Sequence, residues 1–148
     1  AIESQPPQTW AEKALAERRP TASLTALLAL ARVGDAALQS RLLDRLGNFD
    51  LENLTAEQRL MAVRAYQLCF ARMGPPDAKT SGQLAQSILQ NYPSEDPRLD
   101  RLSCELLVYL RAPEVIVKTL SLLEGDRSET EKLHYLFRLR HVQDGWTM

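Results

Sequence analysis

The chain has 148 residues, 45% apolar and 25% charged, which is material for one domain with a sizeable core. Eighteen basic residues face nineteen acidic ones, a formal charge of -1, so the whole-chain cationic surplus that favours phosphate binding is missing. No apolar run approaches the ~20 residues of a membrane span, and two cysteines are too few for a disulfide framework.

Residues 1–8 contain Pro6 and Pro7, lack periodicity and read as an extended arm. A short helix is predicted from about Trp10 to Arg18, with Pro20 after it. Leu24, Leu27, Leu28, Leu30 and Ala31 have helical spacing, and Gly34 is expected to end that helix in the left-handed conformation. Asp35 can cap the next helix, whose stripe is Leu38, Leu42, Leu43 and Leu46, closed by Gly47. The very short turn makes these two helices antiparallel neighbours.

Thr55 and Gln58 form a capping box for a long helix that runs to about Met73 and ends at Gly74. Its partner covers about Lys79 to Gln90. Asp96-Pro97 starts the next helix, an N-cap followed by a proline whose missing N–H costs nothing there. Leu99, Leu102, Leu106, Leu107 and Leu110 are its apolar positions. Pro113 breaks it and starts another, which ends at Gly125. Ser128 and Glu131 predict a capping box for a last helix, through about His141, which Gly145 ends, while Thr147 looks like the cap of a further one. No segment alternates with the period of a strand. About eight helices result, a leader, three pairs and one unpaired.

The helix ends repeat. Leu30-Ala31-Arg32-Val33-Gly34-Asp35, Phe70-Ala71-Arg72-Met73-Gly74 and Tyr109-Leu110-Arg111-Ala112-Pro113-Glu114 share an apolar end, an Arg and a breaker, echoed by Phe137-Arg138-Leu139-Arg140. Arg32, Arg72, Arg111 and Arg140 are 40, 39 and 29 residues apart, against ~34–47 for helical-hairpin repeats. Such units bury their apolar faces by stacking. A cation in a helix's last turn also complements the macrodipole, the principal reading of this Arg row, with a ligand-binding row as the alternative.

The pattern resembles HEAT repeats, best over Thr25 to Leu46. Many units of that family place Asp in the interhelix turn and Arg six residues on, in a hydrogen-bonded ladder; Asp35 and Arg41 match. Gln83 and Leu120 stand at that spacing after Asp77 and Glu114, so the ladder is carried only to the first unit. The resemblance implies an all-α, right-handed α-α superhelix of stacked antiparallel hairpins over residues 9–148. The phrases Arg64-Ala65-Tyr66, Gly74-Pro75-Pro76-Asp77, Leu106-Leu107-Val108-Tyr109-Leu110, Ala112-Pro113-Glu114-Val115, His134-Tyr135 and Gly145-Trp146-Thr147 also resemble a helical segment of large modular bacterial proteins. There it lies between a dehydrogenase-like β-propeller and a haem-binding cytochrome c domain. This implies an excised piece of an exported or periplasmic electron-transfer protein, with haem only in a neighbouring domain, since no CxxCH motif occurs here.

Other candidates have bland readings. Cys69 and Cys104 sit in apolar helical patterns and read as buried thiols, with a mutual disulfide as the alternative. His134 and His141 are seven apart, where a metal clip usually wants i, i+4 and a third ligand. Asp126, Glu129 and Glu131 lie at a helix start, where the dipole favours anions. Asn53-Leu54-Thr55 fits a glycosylation sequon whose Thr already caps a helix. Trp10 and Trp146 cover the ends of the core or an adjacent domain. No catalytic, cofactor-binding or metal residue is expected. The expected role is a non-catalytic interaction or spacer module for neighbouring redox domains or a protein partner. The rivals are a DNA-gripping glycosylase of HEAT-like build and a phycobilin-lyase-type chaperone.

Overall fold

The computed structural model describes residues 7–140 and 142, and it is all-α: no strand occurs among the described residues. The helices are α1 (Pro7–Ala16), α2 (Pro20–Val33), α3 (Gln39–Gly47), α4 (Ala56–Met73), α5 (Ala78–Gln90), α6 (Pro97–Tyr109), α7 (Glu114–Leu123) and α8 (Glu129–Leu139), with short 3-10 turns at Ala36–Leu38 and Leu51–Asn53. Two compact units form, one up to Pro76 and one from Asp77. His141, Gly145, Trp146 and Thr147 lie outside the described residues, as do residues 1–6.

Local chemistry sets most boundaries. The first helix opens at Pro7 rather than near Trp10, because a proline in the first turn loses no helical bond. The capping box at α4 is complete: Gln58 N–H donates to Thr55 Oγ1 at 3.2 Å, and Thr55 N–H to Gln58 Oε1 at 3.0 Å. Asp35, Asp77, Asp96 and Ser128 each accept from a backbone N–H at the element they start. Only half of the box expected at α8 exists. Glu131 N–H donates to Ser128, while the Glu131 carboxylate turns to Arg127 at 3.5 Å.

The expectation for Gly34 is corrected. Its φ is -70°, an ordinary value, so left-handedness is not why glycine stands there. The reason is space: a Cβ would lie 2.7 Å from the Leu30 carbonyl oxygen and 3.1 Å from Met73 Cε. Gly74 does take a positive φ of 96°.

In the first unit α2 is central and packs on α1, α3 and α4. It buries Leu24, Leu27, Ala29, Leu30 and Ala31 against Trp10 and Leu15 of α1, Leu42 and Leu46 of α3, and a long face of α4 from Ala62 to Met73. Each buried leucine contributes about 2 kcal/mol of transfer free energy. Alanines on both α2 and α4 permit close approach.

In the second unit α6 packs on α5, α7 and α8, and α7 packs on α8. Leu99, Cys104, Leu106 and Leu107 of α6 share this core with Ile88 and Leu89 of α5, Val115 and Ile116 of α7, and Tyr135 and Leu139 of α8. The link from α6 to α7 is tight. Arg111 N–H donates to Val108 O at 3.1 Å and Ala112 N–H to Leu107 O at 3.0 Å, the paired bonds of a Schellman helix end. The residue forced left-handed by that closure is Arg111, at φ 59°.

Candidate functional site

The expected ladder residues go to separate places. Asp35 accepts from Ala37 N–H at 3.1 Å, a capping contact. Arg41 instead makes a two-pronged bond to Glu12 of α1, 2.8 Å on each prong, which holds the Glu12 carboxyl below its ordinary range. Asp35 and Arg41 thus turn to different partners. Arg32 and Arg72 are exposed in the last turns of α2 and α4. Arg111 is two residues past the end of α6, so a last-turn dipole role does not apply to it. Arg140 caps α8 and places its guanidinium 3.8 Å from the centre of the Phe137 ring.

Both cysteines are free and fully buried. Burial pushes the Cys69 thiol up to about 11, against a smaller opposing hydrogen bond from Gln39. Burial likewise raises the Cys104 thiol. Cys104 Sγ lies 3.9 Å from Thr119 Oγ1, which shares a 2.6 Å hydrogen bond with Tyr92 Oη. A raised, buried thiol is mostly protonated at neutral pH and is a poor nucleophile.

The main polar feature of the second unit centres on Asp100, which is fully buried on α6. Its Oδ1 accepts from Ser94 N–H at 2.6 Å and Ser94 Oγ at 2.8 Å, and its Oδ2 accepts from Arg127 Nη2 at 3.0 Å. The link before α6 and the link before α8 are thereby tied to one carboxylate. Every oxygen of Asp100 is engaged, so the arrangement cross-links rather than offering a base to a substrate. The Tyr135 hydroxyl is also buried here, with no hydrogen-bond partner among the described residues.

Asp100 was not singled out from the sequence. The signal existed: it lies three, four and seven residues before Ser103, Cys104 and Leu107, so helical spacing puts it on their buried face. His134 faces Glu105, Nε2 to Oε1 3.5 Å, and Arg138 reaches the same oxygen at 3.0 Å. Burial lowers the His134 pKa, outweighing the raising effect of Glu105, which leaves a neutral imidazole near pH 7. No group of three or more His, Cys, Asp or Glu that could hold a metal occurs among the described residues. None of their helices is long and apolar enough to cross a membrane.

The remaining feature is an apolar face. On α8, Tyr135 and Leu139 point into the core, while Leu133, Leu136 and Phe137 are 66%, 49% and 52% exposed. On the adjoining α7, Val117 and Leu120 are exposed as well. Helix α8 therefore carries two apolar stripes, and the described residues bury one of them. Among the acids at its start, Glu129 is largely exposed, 3.7 Å from Lys132, and Asp126 is exposed. The sequon amide of Asn53 donates to Asp50 at 2.7 Å. Trp10 is buried in the first unit.

Compared with known protein families, with curated proteins and with solved structures, the chain matches none.

Proposed function

We propose that the chain is a non-catalytic, HEAT-like interaction and spacer module that positions neighbouring domains or a protein partner. The observation that carries this is the exposure of Leu133 and Leu136 on α8 among the described residues. Clustered exposed apolar side chains on one helix face mark a docking surface rather than ordinary surface scatter. The buried polar groups support the reading from the other side, because Asp100 and the two thiols serve the core.

The resemblance to a segment between a β-propeller and a cytochrome domain supports redox domains as the neighbours. On that reading haem belongs to a neighbour's CxxCH motif, and the compartment is periplasmic or exported. The rival DNA grip needs cations left over for phosphates. Here Arg19, Arg41, Arg98, Arg127 and Arg138 each face a carboxylate within 3.1 Å.

The test is amide chemical-shift mapping of the isotope-labelled chain titrated with a c-type cytochrome domain. Shifts clustered on the outer faces of α7 and α8 are expected. An unchanged spectrum at about 1 mM partner, where even millimolar affinity registers, contradicts docking to such domains.

A further inference from the structure

Helices α6 and α8 meet through charge along one seam. Glu105 of α6 presents its Oε1 to two groups of α8, Arg138 Nη2 at 3.0 Å and His134 Nε2 at 3.5 Å. Arg138 holds the closer contact. His134 Nε2 is buried yet has no hydrogen-bond partner among the described residues, and the same is true of Arg138 Nε. The imidazole also stands edge-on to Tyr135, ring centres 5.5 Å apart, and Tyr135 is fully buried. Packing on that ring keeps the imidazole in the seam.

Among the described residues, the charged groups that act on His134 are Glu105 and Arg101 of α6 and Arg138 of its own helix. Helix α7, which also packs on α8, contributes none of them. With a neutral imidazole, two guanidiniums face one carboxylate. Protonation puts three cations around it. The added charge is part-buried, and the carboxylate oxygen in reach already accepts from Arg138 at shorter range. A charge taken out of water without an acceptor of its own is costly.

We infer that this seam is an acid-sensitive clasp: when His134 takes up a proton, α8 loosens from α6 and releases Tyr135 and Leu139 from the core. Burial, with Arg138 and Arg101 behind it, lowers the His134 pKa in the closed state, and Glu105 opposes them. An opened helix carries an ordinary imidazole, near ~6.5, and takes the proton first. The closed state is therefore fully favoured above about pH 6.5 and loses stability as the pH falls through that value. Carboxylates ordinarily respond near ~4, so the response between about pH 7 and about pH 5 belongs to imidazole. The chain has two histidines, His134 and His141, which single variants separate. The clasp goes beyond the docking reading and does not rest on it.

Native-state hydrogen exchange of the full chain tests it, with the intrinsic pH dependence of exchange divided out. From about pH 7 to about pH 5, the opening constant of α8 amides is expected to rise severalfold. The ceiling is about 25-fold, reached when the closed state stays unprotonated throughout. Amides of α2 are expected to stay level. His134→Gln is expected to abolish the rise although His141 remains. Arg101→Gln, a change at an exposed position, is expected to reduce it, and Glu105→Gln to increase it. A purely structural role for these side chains would not give opposite pH responses. In the wild type, the His134 ring followed by NMR is expected to titrate below 6.5, a measurement that needs no variant to fold. A ring that titrates above 6.5 overturns the inference, because acid would then tighten the seam. So does α8 opening that stays level or falls on acidification, or a rise that persists in His134→Gln.

Discussion

Arg111 holds a backbone conformation that suits glycine, at φ 59°, because the end of α6 closes through Val108 and Leu107. A side chain there costs about 1–2 kcal/mol. Arg111→Gly is expected to stabilise the chain by about 0.5–1 kcal/mol after the greater freedom of glycine when unfolded is counted, measured by urea denaturation. Gly34 is the converse case, glycine by volume rather than angle. Gly34→Ala sets a Cβ 2.7 Å from a backbone oxygen, so α2 must shift. A loss of about 1–3 kcal/mol is expected in the same assay; an unchanged midpoint would show that the helix end yields freely. The sequence presents Arg32, Arg72 and Arg111 as equivalents, and only the first two lie in a last helical turn. The difference arises because the closing bonds of a helix end, not the residue type, decide which position turns left-handed.

Helix starts were legible because Thr55, Asp35, Asp77, Asp96 and Ser128 declare themselves by short-range bonds to nearby N–H groups. What a helix face meets was less so. Asp100 sits on the buried side of α6, and its acceptability depends on Arg127, 27 residues away, and on Ser94. No local rule announces that rescue. Removing the carboxylate takes the closer partner from Arg127, which is itself largely buried and keeps the longer 3.5 Å contact to Glu131, so Asp100→Ala is expected to cost about 3 kcal/mol. The check is thermal unfolding of Asp100→Ala beside Arg127→Met. Losses well below 1 kcal/mol would mean that the pair is solvated. On α8 the apolar positions could be read, but two stripes compete for one core. Tyr135 and Leu139 win because they face α6 and α7, which tertiary packing alone settles.

At the scale of the molecule, the all-α class followed from Leu and Ala content and from helical spacing, and it holds. The repeat spacing suggested stacked hairpins; within each compact unit the packing centres on one helix, α2 in the first and α6 in the second. Sequence periodicity identifies helices that need cover; it does not say which neighbour supplies it. The central claim is that the outer stripe of α8 serves association and not the core. The double variant Leu133→Ser with Phe137→Ser tests this most directly, with thermal unfolding and partner binding measured on the same sample. Both side chains are at least half exposed, so the midpoint temperature is expected to move by no more than about 2 °C, the scale of ordinary surface substitutions. Cytochrome-induced shifts are expected to vanish. A fall of more than about 6 °C, the size of a core deletion, or association that survives intact, would contradict the account.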